Sequence, residues 1–213
     1  MANNVHSYIE FVKINDTAKA KLQELFGRCR EMDYGRRWFG DMFVEGDLTY
    51  DDVEQYSWTT EHIGPKWCYI EDSDVEGETP YFVTDSAWAQ PETGLVKLLE
   101  VLEPLDNNLV TTISYEDEMP NFIGWSVYTG SEMYDGREDD SEEIQEFMFD
   151  KNPNLKEHWD EDTDDWMTDE ETGDYTEDAE RASEEYQELL YEFISDMNSE
   201  GIADTLKQLE EEE

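Results

Sequence analysis

The run "VHSYIEFVKINDTAKAKLQELFGRCR", Val5 to Arg30, changes its period partway along, and that change decides the fold class. Its first ten residues, "VHSYIEFVKI", are rich in β-branched and aromatic side chains and predict a strand. The remainder opens on a capping Asn15 or Asp16 and carries Ala18, Leu22, Leu25 and Phe26 at helical spacing, which predicts a helix. Working outward, "KWCYIED" from Lys66 and "YFVTDSAW" from Tyr81 read as two more strands separated by an acidic turn. "PETGLVKLLEVLEPL" follows, with Pro91 suited to a first helical turn and Leu95, Leu98, Leu99 and Leu102 forming an apolar stripe. "LVTTISYED" and "FIGWSVYTG" then read as strands joined around Met119, Pro120 and Asn121. Residues 31–64 are irregular, punctuated by Gly35, Gly40, Gly46 and Gly64.

Strand, helix, strand, strand, helix, strand, with one strand more, predicts an α+β chain. Its residues 1–130 are expected to form a ferredoxin-like antiparallel sheet with two helices on one face and an irregular insertion at about 31–64. Leu98, Ile123 and Trp125 are expected in its core.

Several segments together carry a family resemblance: "MANNVHSYIEF", "GPKWCYIED", "TDSAWAQPETGLVKLLEVL" and "ISYEDEMPNFIGWSVY". In motif order they resemble the YubB-type, Api-like ferredoxin-like proteins of bacteriophages and conjugative elements. Ser86, between Asp85 and Ala87, departs slightly from that family's tight T-A-W motif. The resemblance covers roughly residues 1–130 and implies a phage or mobile-element origin. It transfers no catalytic residue.

Charge divides the chain near residue 130. The whole chain has 58 acidic and 14 basic residues, a net of −44; residues 131–213 hold 33 of the acids and five of the bases. Disorder is the usual fate of such a composition, but 13 % aromatic residues, including seven Trp, predict a folded body with an acidic skin. No stretch approaches the roughly 18 apolar residues of a membrane span, so a cytoplasmic protein is expected. Cys29 and Cys68 form no C-x-x-C pair, and His6, His62 and His158 are scattered, so no zinc site or disulfide framework is expected.

The acidic part, 131–213, reads as a mainly helical extension. "DDSEEIQEFMFDK" begins with capping candidates Asp140 and Ser141 and sets Ile144, Phe147 and Met148 on one face. "AERASEEYQELLYEFISDM" spaces Ala182, Tyr186, Leu189, Leu190, Phe193, Ile194 and Met197 as an amphipathic helix. Gly201 is expected to interrupt it before a shorter stripe of Ile202, Leu206 and Leu209. Between these helices, "DEDTDDWMTDEE" places Asp160, Asp162 and Asp164 at positions one, three and five of a calcium loop and Glu171 at position twelve. Asp165 stands where that loop requires Gly, so no metal or other cofactor is expected.

No Gly-rich phosphate loop, H-E-x-x-H or G-x-S-x-G occurs, so a non-enzymatic role is expected. Carboxylates four residues apart on a helix repeat every 6 Å or so. Glu138, Asp139, Asp140, Glu142, Glu143 and Glu146 are expected to form one row, and Glu177, Asp178, Glu184, Glu185 and Glu188 another; Asp160, Asp162, Asp164 and Asp165 supply the densest charge between them. Such rows predict a DNA mimic that inhibits or modulates a basic, nucleic-acid-binding protein, and the resemblance implies that it is phage-type and that its target belongs to the host. Direct nucleic-acid binding is not expected, because Arg28, Arg30, Arg36 and Arg37 are the largest basic cluster. Two readings compete: acids that only solubilise, and an assembly module whose amphipathic C-terminal helices join copies or partners. Calcium binding is a more distant alternative.

Overall fold

The computed structural model describes residues 3–118, 121–160, 165–169 and 174–212, with the Asp165 side chain excepted. The elements are β1 (Asn4–Lys13), α1 (Asp16–Phe26), β2 (Arg37–Trp38), α2 (Tyr50–Val53), α3 (Tyr56–His62), β3 (Cys68–Asp74), β4 (Tyr81–Ala87) and α4 (Glu92–Leu102). β5 (Val110–Asp117), β6 (Phe122–Thr129), β7 (Glu132–Asp140), α5 (Ser141–Lys151), α6 (Pro153–Lys156), β8 (Trp159–Asp160), β9 (Asp165–Trp166) and α7 (Glu177–Glu212) follow. The chain is an α+β protein. Its main sheet has seven strands in the order β2-β3-β4-β1-β5-β6-β7, with every neighbouring pair antiparallel.

Alternation in β1 builds the first layer. Val5, Ile9 and Phe11 turn to one face, where α1 and α4 cover them. α1 begins where Asn15 Oδ1 accepts hydrogen bonds from the Thr17 and Ala18 amides, both at 2.9 Å, and it buries Ala18, Leu22 and Leu25. α4 buries Leu95, Leu98, Leu99 and Leu102 against the same face, beside Phe82, Ile113 and Tyr128. The insertion folds onto this core through Phe39, Met42, Phe43 and Ile63. Asp41, wholly buried, pins it in place. Both its oxygens accept from the Arg30 guanidinium, at 2.9 and 3.0 Å, and Arg30 also reaches Glu54.

The opposite face of the sheet carries a second core. Val110, Ile123, Trp125 and Val127 pack there beneath Ile144 and Met148 of α5 and Leu190, Phe193 and Met197 of α7. Leu98 thus lies in one core while Ile123 and Trp125 lie in the other. The step in charge at residue 130 falls in the turn between β6 and β7, inside the sheet, and β7 is a strand in a region expected to be mainly helical. Gly201 does not interrupt the last helix. α7 runs 36 residues without a break, about 54 Å, and at Gly201 its bare backbone accepts the Trp125 indole, which a Cβ would overlap. No helix among the described residues is long and apolar enough to cross a membrane.

Candidate functional site

Fold geometry divides the expected acidic rows. Glu138 and Asp139 lie on β7, so their side chains leave opposite faces of the strand. Glu138 accepts a hydrogen bond from the Tyr115 hydroxyl at 2.9 Å; burial and this carboxylate together push the Tyr115 phenol up. Asp139 turns inward, only 4 % exposed, with Oδ1 2.8 Å from the Arg137 guanidinium. Asp140 caps α5, accepting from the Glu142 and Glu143 amides while Glu143 accepts from the Asp140 amide, a closed capping box. These residues therefore do not form one helical row. What remains of it on α5 is Glu142 and Glu146, to which the structure adds Asp150, one turn further on and also exposed. With Phe149, Lys156 and Trp159 they wall a concavity of about 610 Å³.

On α7 the expected row is longer than the sequence reading drew it. Glu177 and Asp178 sit in the first turn, where the helix dipole favours anions, and Asp178 pairs with Arg181 at 3.3 Å. Glu185 accepts from Asn152 at 2.7 Å, which ties α7 to the α5–α6 corner. Glu184 and Glu188 belong to a ladder with four-residue steps: Glu180, Glu184, Glu188, Glu192, Asp196, Glu200 and Asp204, all exposed. The ladder spans about 36 Å, one carboxylate every 6 Å, and advances about 40° per step as a shallow right-handed stripe. It stays in solvent because the packed side drifts with it: Phe193, Met197, Gly201 and Thr205 are also four apart. The repeat was present in the sequence: every member but Asp204 precedes Gly201, and the expected row simply stopped at Glu188.

Asp160 pairs with Asp165 across the β8–β9 hairpin, and Trp159 meets Trp166 edge to face at 5.2 Å. Trp166 packs with Leu155, Ala179 and Ala182. Asp162, Asp164 and Glu171, on which the calcium-loop pattern depends, lie outside the described residues; among those described, no group of three or more His, Cys, Asp or Glu could hold a metal ion.

The arginine cluster is internally engaged. Arg28 pairs with Glu24 (2.6 Å) and Glu45 (3.2 Å), and Arg30 with Asp41 and Glu54. Arg36 stacks on Tyr69 near Glu71, and Arg37 donates to the Cys29 carbonyl and lies over Phe26. Cys29 and Cys68 are free and buried, and burial pushes the Cys29 thiol up to about 12, far from a reactive thiolate.

Comparison with protein-family models, with characterised proteins and with solved structures finds no match to this chain.

Proposed function

We propose that the chain is a non-enzymatic, phage-type acidic protein that occupies the basic surface of a nucleic-acid-binding host protein in the cytoplasm, in place of nucleic acid. The observation that carries this reading is the ladder on α7. Duplex DNA presents one phosphate per 3.4 Å or so of each strand along a right-handed path. The ladder offers a right-handed path of like charge at about half that density, on a helix held stiff by its packing on β6. The acids beside it, Glu177, Asp178 and Glu185, and the α5 pair Glu142 and Glu146 raise the local density. A ferredoxin-like origin for the first part is supported by the strand order β3-β4-β1-β5, in which each helical crossover skips one strand. The competing assembly reading loses ground because the apolar stripe of α7 is already packed on the sheet.

The test is capture of a basic partner from bacterial lysate at low salt with a salt-ramp elution, followed by displacement of fluorescent DNA from the captured protein. Glu184→Gln, Glu188→Gln, Glu192→Gln and Asp196→Asn together are expected to weaken displacement at least tenfold. Four scattered changes, Glu10→Gln, Glu24→Gln, Glu76→Gln and Glu103→Gln, should change it far less, and affinity should fall steeply with salt. Simultaneous binding of DNA and this chain with independent affinities would end the mimicry reading.

A further inference from the structure

On the second face of the sheet, α5 and α7 pack over β5, β6 and β7 and leave part of β1 and β4 open: His6 and Tyr8 are exposed there, and Tyr81, Val83 and Asp85 only partly buried. Where α7 passes the margin of this open area, a cavity of about 210 Å³ lies between Asn198 and the strands. Strand register sets its walls. Tyr8 sits between Val83 and Ser114, and one row further on His6 sits between Asp85 and Glu116. The Tyr8 ring is held against Tyr81, centroids 5.4 Å apart, which fixes its orientation. Two acceptors are shut away from solvent here without a donor: Asn198 Oδ1, beneath the cavity wall, and Asp85 Oδ1, on β4 outside the cavity lining. His6 Nδ1 comes only within 3.6 Å of the latter, beyond hydrogen-bond length. What the cavity presents to a ligand is the Glu116 carboxylate and the Tyr8 ring, with His6 and Ser114 beside them.

We propose that this cavity receives one arginine side chain of the basic partner, an inference that rests on the acidic-mimic reading and gives it a point of specificity. A guanidinium matches the wall group by group. Its fork can meet the Glu116 carboxylate with two N–H donors, and its plane can lie on an aromatic ring. The carboxylates of Glu116 and Asp85 disfavour a phosphate or nucleotide in the same place. A lysine ammonium is a hydrated point charge with neither fork nor plane, so the cavity discriminates between two cations that the α7 ladder treats alike.

The test uses the full chain and two probes of equal charge, acetyl-(Arg)3-amide and acetyl-(Lys)3-amide, followed by titration calorimetry and by amide and side-chain NMR shifts. The arginine peptide is expected to bind at least fivefold tighter and to shift His6, Tyr8, Ser114, Glu116 and the Asn198 side-chain amide. Glu116→Gln, at a partly buried position, and Tyr8→Leu, at an exposed one, should each remove most of that preference while leaving lysine-peptide binding within twofold. The ladder variants described above should weaken both peptides together and leave their ratio intact. Equal binding of the two peptides, or an arginine preference that survives both Glu116→Gln and Tyr8→Leu, would overturn the pocket while leaving the ladder untouched. Insensitivity of both peptides to the ladder variants, with the arginine preference intact, would instead count against the mimicry reading alone.

Discussion

Trp125 of β6 rests directly on Gly201 of α7, at a spot where any Cβ would occupy the space of the indole Cε2 and Nε1. Inside a helix Gly→Ala ordinarily adds about 1 kcal/mol of stability. Here the added methyl must displace a ring packed in the second core, and overpacking of this kind removes about 1–3 kcal/mol. Gly201→Ala is therefore expected to lower the urea midpoint, and adding Trp125→Leu to it should make the alanine tolerable. A Gly201→Ala chain more stable than the parent would show that α7 does not approach β6 this closely.

Arg30 is the partner that makes a buried Asp41 tolerable. Arg30→Met leaves that carboxylate enclosed with no cation beside it, and the expected loss is about 3–5 kcal/mol. Asp41→Asn in the same chain should recover part of it, because a neutral amide is cheaper to bury. A double-mutant cycle in urea measures the coupling, and additive losses would show that the pair does not organise the insertion.

Burial raises the Asp85 carboxyl above its ordinary range, although the charges of His6 and Arg36 pull it partway back. An acid whose folded pKa lies above its unfolded value stabilises the fold fully below the unfolded pKa, and that contribution is lost as pH rises through the folded value. Asp85→Asn should therefore raise the melting temperature at pH 7, with the advantage fading toward about pH 4, the unfolded aspartate range. Thermal melts between pH 3.5 and 7.5 decide it; an asparagine chain that melts lower at pH 7 would mean that Asp85 has a stabilising cation.

Ending the chain after residue 130 removes β7, α5 and α7 together. Ile123, Trp125 and Val127 would then face water across the second side of the sheet. The expected product is insoluble or melts over a broad range by circular dichroism. A soluble fragment with one sharp transition would show that the core beneath α1 and α4 is sufficient.

The legible parts of the fold were those where local chemistry and tertiary packing agree. Asn15 caps α1 as its side chain suggests, and the leucines of α4 are buried in the order their spacing predicts. β7 was not legible, because "EMYDGREDD" has no apolar alternation: all but one of its residues are exposed, and backbone pairing to β6 holds it in the sheet. Asp139 looked like a surface acid for the same reason, since only that pairing reveals that it shares a face with Ile123 and Trp125. Gly201 was misread because glycine signals both a helix stop and a close approach, and sequence alone does not separate them. Of the α7 ladder, only its last member, Asp204, depended on that decision.

Open sheets grow by recruiting strands from neighbouring molecules, and this sheet has two edges at which that could begin. At one, β2 is two residues long and offers almost no template. At the other, β7 is nine residues long but carries Glu132, Asp135, Glu138, Asp139 and Asp140 against the single cation Arg137, so a second copy aligning there would bring together two strands of strongly negative net charge. The charge that would draw a cationic surface to this chain thus also works, at this edge, against pairing with a second copy of itself.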